Sequence, residues 1–178
     1  MNRSLVLSIL SDDKPGVVEA LAKTINDHQG NWLESQMSQL AGKFAGILHI
    51  SIAEDQLPLL KQALEILQQQ QEIQIISAEV DTDQASAEIM TMEFSLMGND
   101  RPGIIREISQ AFVSHHINFY DLHTQCSSMP MAGIPMFTAQ GKLHVPGNLD
   151  LDNLTDQLED IANELGIDFE LKASSENV

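Results

Sequence analysis

The sequence predicts an α+β fold made of two equivalent halves, each running β-α-β-β-α-β. Three observations carry that expectation. The phrase "DDKPGVVEAL" around Asp13 returns as "NDRPGIIREI" around Asp100, 87 positions later. A strand-like alternation precedes each phrase, and helical spacing of apolar residues follows it. Asn31 and Asn118, further on, repeat the same offset of 87.

In the first half, "RSLVLSIL" (3–10) reads as a strand rich in Leu, Val and Ile. Pro15 and Gly16 then open a helix carrying Val17, Val18, Leu21, Ala22 and Ile25, with its end near His28; Pro suits a first turn because its missing N–H would be unpaired there. "GNWLESQMSQL" follows as a second strand, whose alternation sets Leu33, Ser35 and Met37 on one side. "FAGILHISIA" from Phe44 is the third strand. Leu57, Leu60, Leu64 and Leu67 form the apolar stripe of a second helix, which the Gln68–Gln71 run ends. "IQIISAEV" closes the copy.

The second half repeats the order. "TMEFSLMG" (91–98) precedes a helix with Ile104, Ile105, Ile108 and Phe112, ending near His115. "INFYDLHTQCS" places Tyr120, Leu122, Thr124 and Cys126 on the core side, which makes Cys126 a packed thiol. "MFTAQGKLHV" from Met136, a helix on Leu151, Leu154, Leu158, Ile161 and Leu165, and "IDFELKAS" complete it. Crossovers of this kind put helices on one face of an antiparallel sheet, the ferredoxin-like arrangement. The domain boundaries read as 1–81 and 91–178, with the polar stretch in 82–90 as linker.

Composition narrows the function classes. The 178 residues hold 26 acidic and 9 basic side chains, a formal charge of −17 that repels phosphate backbones and anionic lipids. Between Lys142 and Lys172 eight acids accumulate without a Lys or Arg, which reads as a solvated face or a docking surface for a basic partner. Hydrophobic residues make up 43% and aromatics 4%, so the cores are expected to be aliphatic. One cysteine, no apolar run of membrane-spanning length and no signal-like cleavage site point to the cytoplasm. No nucleophile elbow, P-loop or dinucleotide fingerprint occurs, so an enzyme and a cofactor are not expected. His115, His116 and His123 make a poor metal set, because adjacent helix residues point apart and no ligand completes them.

The repeated phrase has two readings. Asp13 and Asp100 could cap a helix, or bind an ammonium group. Gly16 and Gly103 clear the backbone where a ligand could approach the unpaired N–H groups of the helix start, at Val17 and Ile104. Asn31 and Asn118 offer both donor and acceptor. A small zwitterion needs such a set. In the second copy "SSMPMAGIPM" collects Met129, Met131 and Met136 in a longer loop, a candidate partner contact if those thioethers are not tucked beneath their own turn.

The β-α-β-β-α-β repeat, with "DDKPGVV" and "NDRPGII" after the first strands and "GNW" and "INF" opening the second ones, resembles a pair of ACT domains. These are regulatory modules, and the resemblance spans almost the whole chain. Among tandem-ACT proteins of this length the chain is most similar to a family of transcriptional repressors of the glycine cleavage system; "SSMPMAGIPMF" resembles their loop. The resemblance implies repression by contact with a LysR-type activator, without direct nucleic-acid binding. It also implies an amino-acid effector such as glycine, and is compatible with a homodimer formed through sheet edges or helices. It implies a ligand set of Asp13, Gly16, Val17 and Asn31, repeated as Asp100, Gly103, Ile104 and Asn118. The chain departs from serine-binding members in having Ser11 and Gly98 where they carry His, and Asp where an amide is usual. A regulatory subunit of an amino-acid metabolic enzyme and a ligand-free interaction module are the other readings.

Overall fold

A computed structural model of the chain describes residues 2–80, 89–128 and 134–174. The chain divides into two compact units, residues 1–84 and 85–178.

In the first unit, β1 (Asn2–Asp12), α1 (Val17–Asp27), β2 (Asn31–Leu40), β3 (Lys43–Ala53), α2 (Leu57–Gln71) and β4 (Gln74–Val80) follow one another. The strands form one sheet in the order β2-β3-β1-β4, every neighbouring pair antiparallel. Alternation in β1 turns Leu5, Leu7 and Ile9 to one face, where Ile50 and Leu48 lie opposite Leu5 and Leu7. The buried stripes of α1 (Val17, Leu21, Ile25) and α2 (Leu57, Leu60, Leu64, Leu67) close over that face in one core. Each such side chain, fully buried, contributes roughly 1.5–3 kcal/mol. Both helices therefore cover the same side, and the other side of the sheet stays open, with Leu10, Ile47 and Ile76 exposed.

The second unit repeats this with β5 (Ile89–Asn99), α3 (Ile104–Ser114), β6 (Asn118–Phe119), β7 (His123–Ser128), β8 (Pro135–Pro146), α4 (Leu151–Leu165) and β9 (Ile167–Ala173). Its antiparallel order is β6-β8-β5-β9, with β7 also on β8. Both units are thus ferredoxin-like. α1 and α3 pass into His28 and His115 as their C-caps, where the helices were expected to end.

The structure departs from the sequence reading at several places. The second core is not purely aliphatic: Phe94, Phe112, Phe119 and Phe169 pack with ring centroids 5.4–6.4 Å apart, so the few aromatics are concentrated there. Pro15 and Pro102 precede their helices rather than sitting inside them, because Gly16 and Gly103 are the N-caps. β5 begins at Ile89, within the stretch expected as linker, because Ile89 and Met90 pair with Pro146 and Val145.

The second strands differ most. In β2 a bulge between Trp32 and Glu34 makes Leu33 the extra residue and leaves it exposed, while Trp32 and Met37 pack on the core. In the second unit the strand breaks between β6 and β7. The N–H groups of Tyr120 and Asp121 both donate to the Lys142 carbonyl (2.8 and 3.3 Å), and the Lys142 N–H donates to Asp121 Oδ1 at 2.6 Å. Gly141 permits that crossing, since a Cβ there would lie 2.3 Å from the Asp121 carbonyl oxygen. The expected alternation through Cys126 is lost with the break. Tyr120, Leu122, Thr124 and Cys126 are all exposed, and the thiol is not a core group.

Candidate functional site: the two glycine turns

Each repeated phrase forms the turn between the first strand of its unit and the helix that follows. The Asp13 N–H donates to the Gly42 carbonyl in the β2–β3 turn at 3.0 Å, and the Asp100 N–H to the Pro135 carbonyl at 2.8 Å. Gly16 and Gly103 have φ of 96° and 104°, in the left-handed region where a side chain is strained. Neither helix start receives a side-chain cap, so Asp13 and Asp100 do not act as caps. Both carboxylates are exposed.

The basic residue of the phrase has a role that the sequence reading missed. Lys14 Nζ donates to the carbonyl of Gln71, the last residue of α2, at 2.6 Å. Arg101 Nη2 donates to the Glu164 carbonyl in the last turn of α4 at 3.3 Å. Carbonyls at a helix end lack intrahelical partners and carry the negative end of its dipole, so a cation there satisfies both. In both units the phrase thereby ties the start of one helix to the end of the other. The 87-residue offset between Lys14 and Arg101 was the signal for it.

Of the proposed contact residues, Val17 and Ile104 are buried, at 4% and 2% exposure, so their side chains belong to the core and a ligand could meet only their backbone. In the second unit the turn borders a cavity of about 380 Å³, lined by Arg101, Pro102, Gly103, Glu107 and Glu164 with apolar residues of α4. Two carboxylates against one guanidinium make the cavity receptive to an ammonium group, with helix N–H groups as the donors for an anion. The position two before each aspartate is closed to a ligand. Ser11 is buried with its Oγ donating to the Asp12 carbonyl at 2.9 Å, and a Cβ on Gly98 would come within 2.4 Å of Ile167 Cγ2.

The asparagines are not beside the aspartates of their own unit. Asn31 aligns with Ser51, which aligns with Ser4 near the start of β1, whereas Asp13 follows the far end of that strand. At about 3.3 Å per residue the separation from Ser4 to Asp13 is roughly 30 Å. Asn118 likewise aligns through His144 with Thr91, while Asp100 follows Asn99, the partner of Met136. The 18-residue spacing encloses a whole helix and returns the chain to the opposite end of the sheet. One small zwitterion cannot touch both residues within one unit.

Near Asp100 the structure places residues of the β7–β8 hairpin instead. Met136, half-buried, pairs with Asn99, and Cys126 lies opposite Phe137. The Cys126 thiol is held above its ordinary value, first by desolvation and then by its hydrogen bond to Asp100 and that carboxylate's charge. It is therefore a weak nucleophile near neutrality. Met129 and Met131 lie outside the described residues. His115 Nε2 is 2.8 Å from Gln157 Oε1, tying α3 to α4.

Residues 3–77 match the family model of the ACT domain. That match covers the first unit, and the second unit repeats the same fold. A crystal structure of an unknown protein from Galdieria sulphuraria is similar over 98% of this chain and 99% of its own, with TM-score 0.86 and 23% identity. A second crystal structure, of a protein provisionally described as a glycine cleavage system transcriptional repressor, is similar over 97% of each chain, with TM-score 0.71 and 17% identity. No curated protein matches the sequence. At these identities the two structures establish the fold alone. No helix among the described residues is long and apolar enough to cross a membrane.

Proposed function

We propose that this tandem ACT protein is a non-enzymatic, cytoplasmic transcriptional regulator that represses the glycine cleavage system by contact with a LysR-type activator. The observation that carries the reading is the likeness, over 97% of both chains, to the protein provisionally described as such a repressor. The charge of −17 supports it, because a regulator with this surface works through a protein rather than through DNA.

An amino acid such as glycine is the proposed effector, held at the turn of the second unit. Its carboxylate would take the open N–H groups at the start of α3, and its ammonium group would face Glu107 and Glu164, the two carboxylates of the cavity. Because Asn118 lies at the other end of the sheet, it is not part of this proposed contact. A ligand shifts partner affinity only by its differential binding to two states, and typical couplings are about 1–3 kcal/mol.

The test is capture of a purified LysR-type activator of the glycine cleavage operon by the immobilised full chain, with and without millimolar glycine. Capture that changes several-fold with glycine is the expected result. Glycine should also raise the melting temperature, and Glu107→Gln should abolish that rise. No capture under either condition sinks the regulator reading; a rise that survives in Glu107→Gln sinks the site.

A further inference from the structure

The open face of the first unit's sheet carries a hydrogen-bonded line that the regulatory reading does not use. Ser4 on β1, His49 on β3 and Glu34 on β2 stand on three neighbouring strands. His49 lies directly opposite Glu34 and Val6, which makes Ser4 its diagonal neighbour, within reach of a ring. The imidazole Nε2 is hydrogen-bonded to Ser4 Oγ, and Nδ1 is 3.1 Å from Glu34 Oε1. A carboxylate accepts and does not donate, so Nδ1 carries the ring hydrogen and Nε2 accepts the serine O–H. This is the order of nucleophile, base and orienting acid. Ser51 stands opposite Ser4, and Asn31 opposite Ser51, so a hydroxyl and a carboxamide share the same face. The His49 side chain is 25% exposed and Glu34 80%, so the line is open to solvent.

We infer that Ser4 is an acyl-accepting nucleophile that takes the acyl group of small activated esters and thioesters. Its O–H proton passes to His49 Nε2 as Oγ bonds to the acyl carbon. The bond from that carbon to the leaving group then breaks, and the departing thiolate or phenolate takes the proton from Nε2. The inference stands independently of the regulator reading.

The surroundings decide how far the chemistry goes. β1 is an interior strand, laddered on both sides at Ser4, so its amides are committed to the sheet rather than aimed at an oxyanion. One oxyanion donor is worth roughly 10²–10³ in rate. Without backbone donors, only acyl groups with good leaving groups react, and return of the acyl group to water is slow. The event is a modification of Ser4 rather than turnover.

The experiment incubates the full chain with p-nitrophenyl acetate near neutral pH and follows acetylation by intact mass and peptide mapping. Acetyl on Ser4 is expected, absent in Ser4→Ala. His49→Gln should slow Ser4 labelling by about 10²-fold, the lower range for a general base. Glu34→Gln, at an exposed site where the fold is unaffected, should slow it by about 10-fold. Acetyl confined to amines overturns the inference. So does Ser4 labelling at an equal rate in Glu34→Gln, which decides the matter even if His49→Gln fails to fold.

Discussion

At the scale of single residues, the aspartates of the repeated phrase are not interchangeable. Asp13 stands exposed at a turn beside Gly42, whereas Asp100 faces a thiol. Desolvation, the hydrogen bond and the charge of Asp100 all favour the protonated form of Cys126. Replacing Asp100 by Asn removes a negative neighbour and so lowers the thiol's pKa. Alkylation of Cys126 by iodoacetamide at pH 7.5 should then run several-fold faster in Asp100→Asn than in the wild type. Equal rates would show that the carboxylate does not govern the thiol. Nothing in the sequence announced this pair, because Asp100 and Cys126 meet only once β7 and β8 have formed their hairpin.

At the scale of elements, Lys14 and Arg101 show that one phrase organises two helices at a time. The glycine turns the chain into the first helix of each unit, and the cation holds the end of the second. Cations at a helix C-terminus on an exposed surface are worth about 0.3–1 kcal/mol. Lys14→Met should therefore cost less than about 1 kcal/mol in urea unfolding, and amide exchange should speed up selectively in the last turn of α2. Loss of protection throughout the first unit instead would mean that the lysine supports the core. The second strands mark the limit of pattern reading at this scale. Alternation assumes an unbroken ladder, and one extra residue at Leu33 or one crossing at Asp121 resets every side chain after it.

For the whole molecule, the excess of 26 acidic over 9 basic residues acts against compactness. Raising the salt from about 10 to 150 mM shortens the screening length from about 30 to 8 Å, so the melting temperature should rise. A fall would show that the ion pairs outweigh the repulsion. Acid works in two stages. Protonating the first carboxylates relieves repulsion. Asp12, Glu54 and Glu79, however, are held below their ordinary 3.8, 4.5 and 4.5 by hydrogen bonds to, and the charges of, Lys43, Arg3 and Lys61. Their contribution is present above the unfolded values and is lost as pH falls through the lower folded ones. The melting temperature of the first unit should pass a maximum on the acid side of neutrality and drop below about pH 4; a plateau to pH 3 would exclude these pairs as contributors.

Repetition and periodicity were enough to determine two β-α-β-β-α-β units, the helix ends at His28 and His115, and the helix stripes apart from Val18, Ala22 and Leu151, which are exposed. All of these are local properties, written within a few residues of chain. What the tertiary structure alone decided is which groups meet: Lys14 with the end of α2, Cys126 with Asp100, Asn31 with Ser51 rather than with Asp13, and Ser4 with His49 and Glu34. Such pairs depend on strand register and crossover direction, which follow from how a whole core closes. A spacing of 18 residues counts the distance along the chain and carries no sign of which end of the sheet the chain has reached.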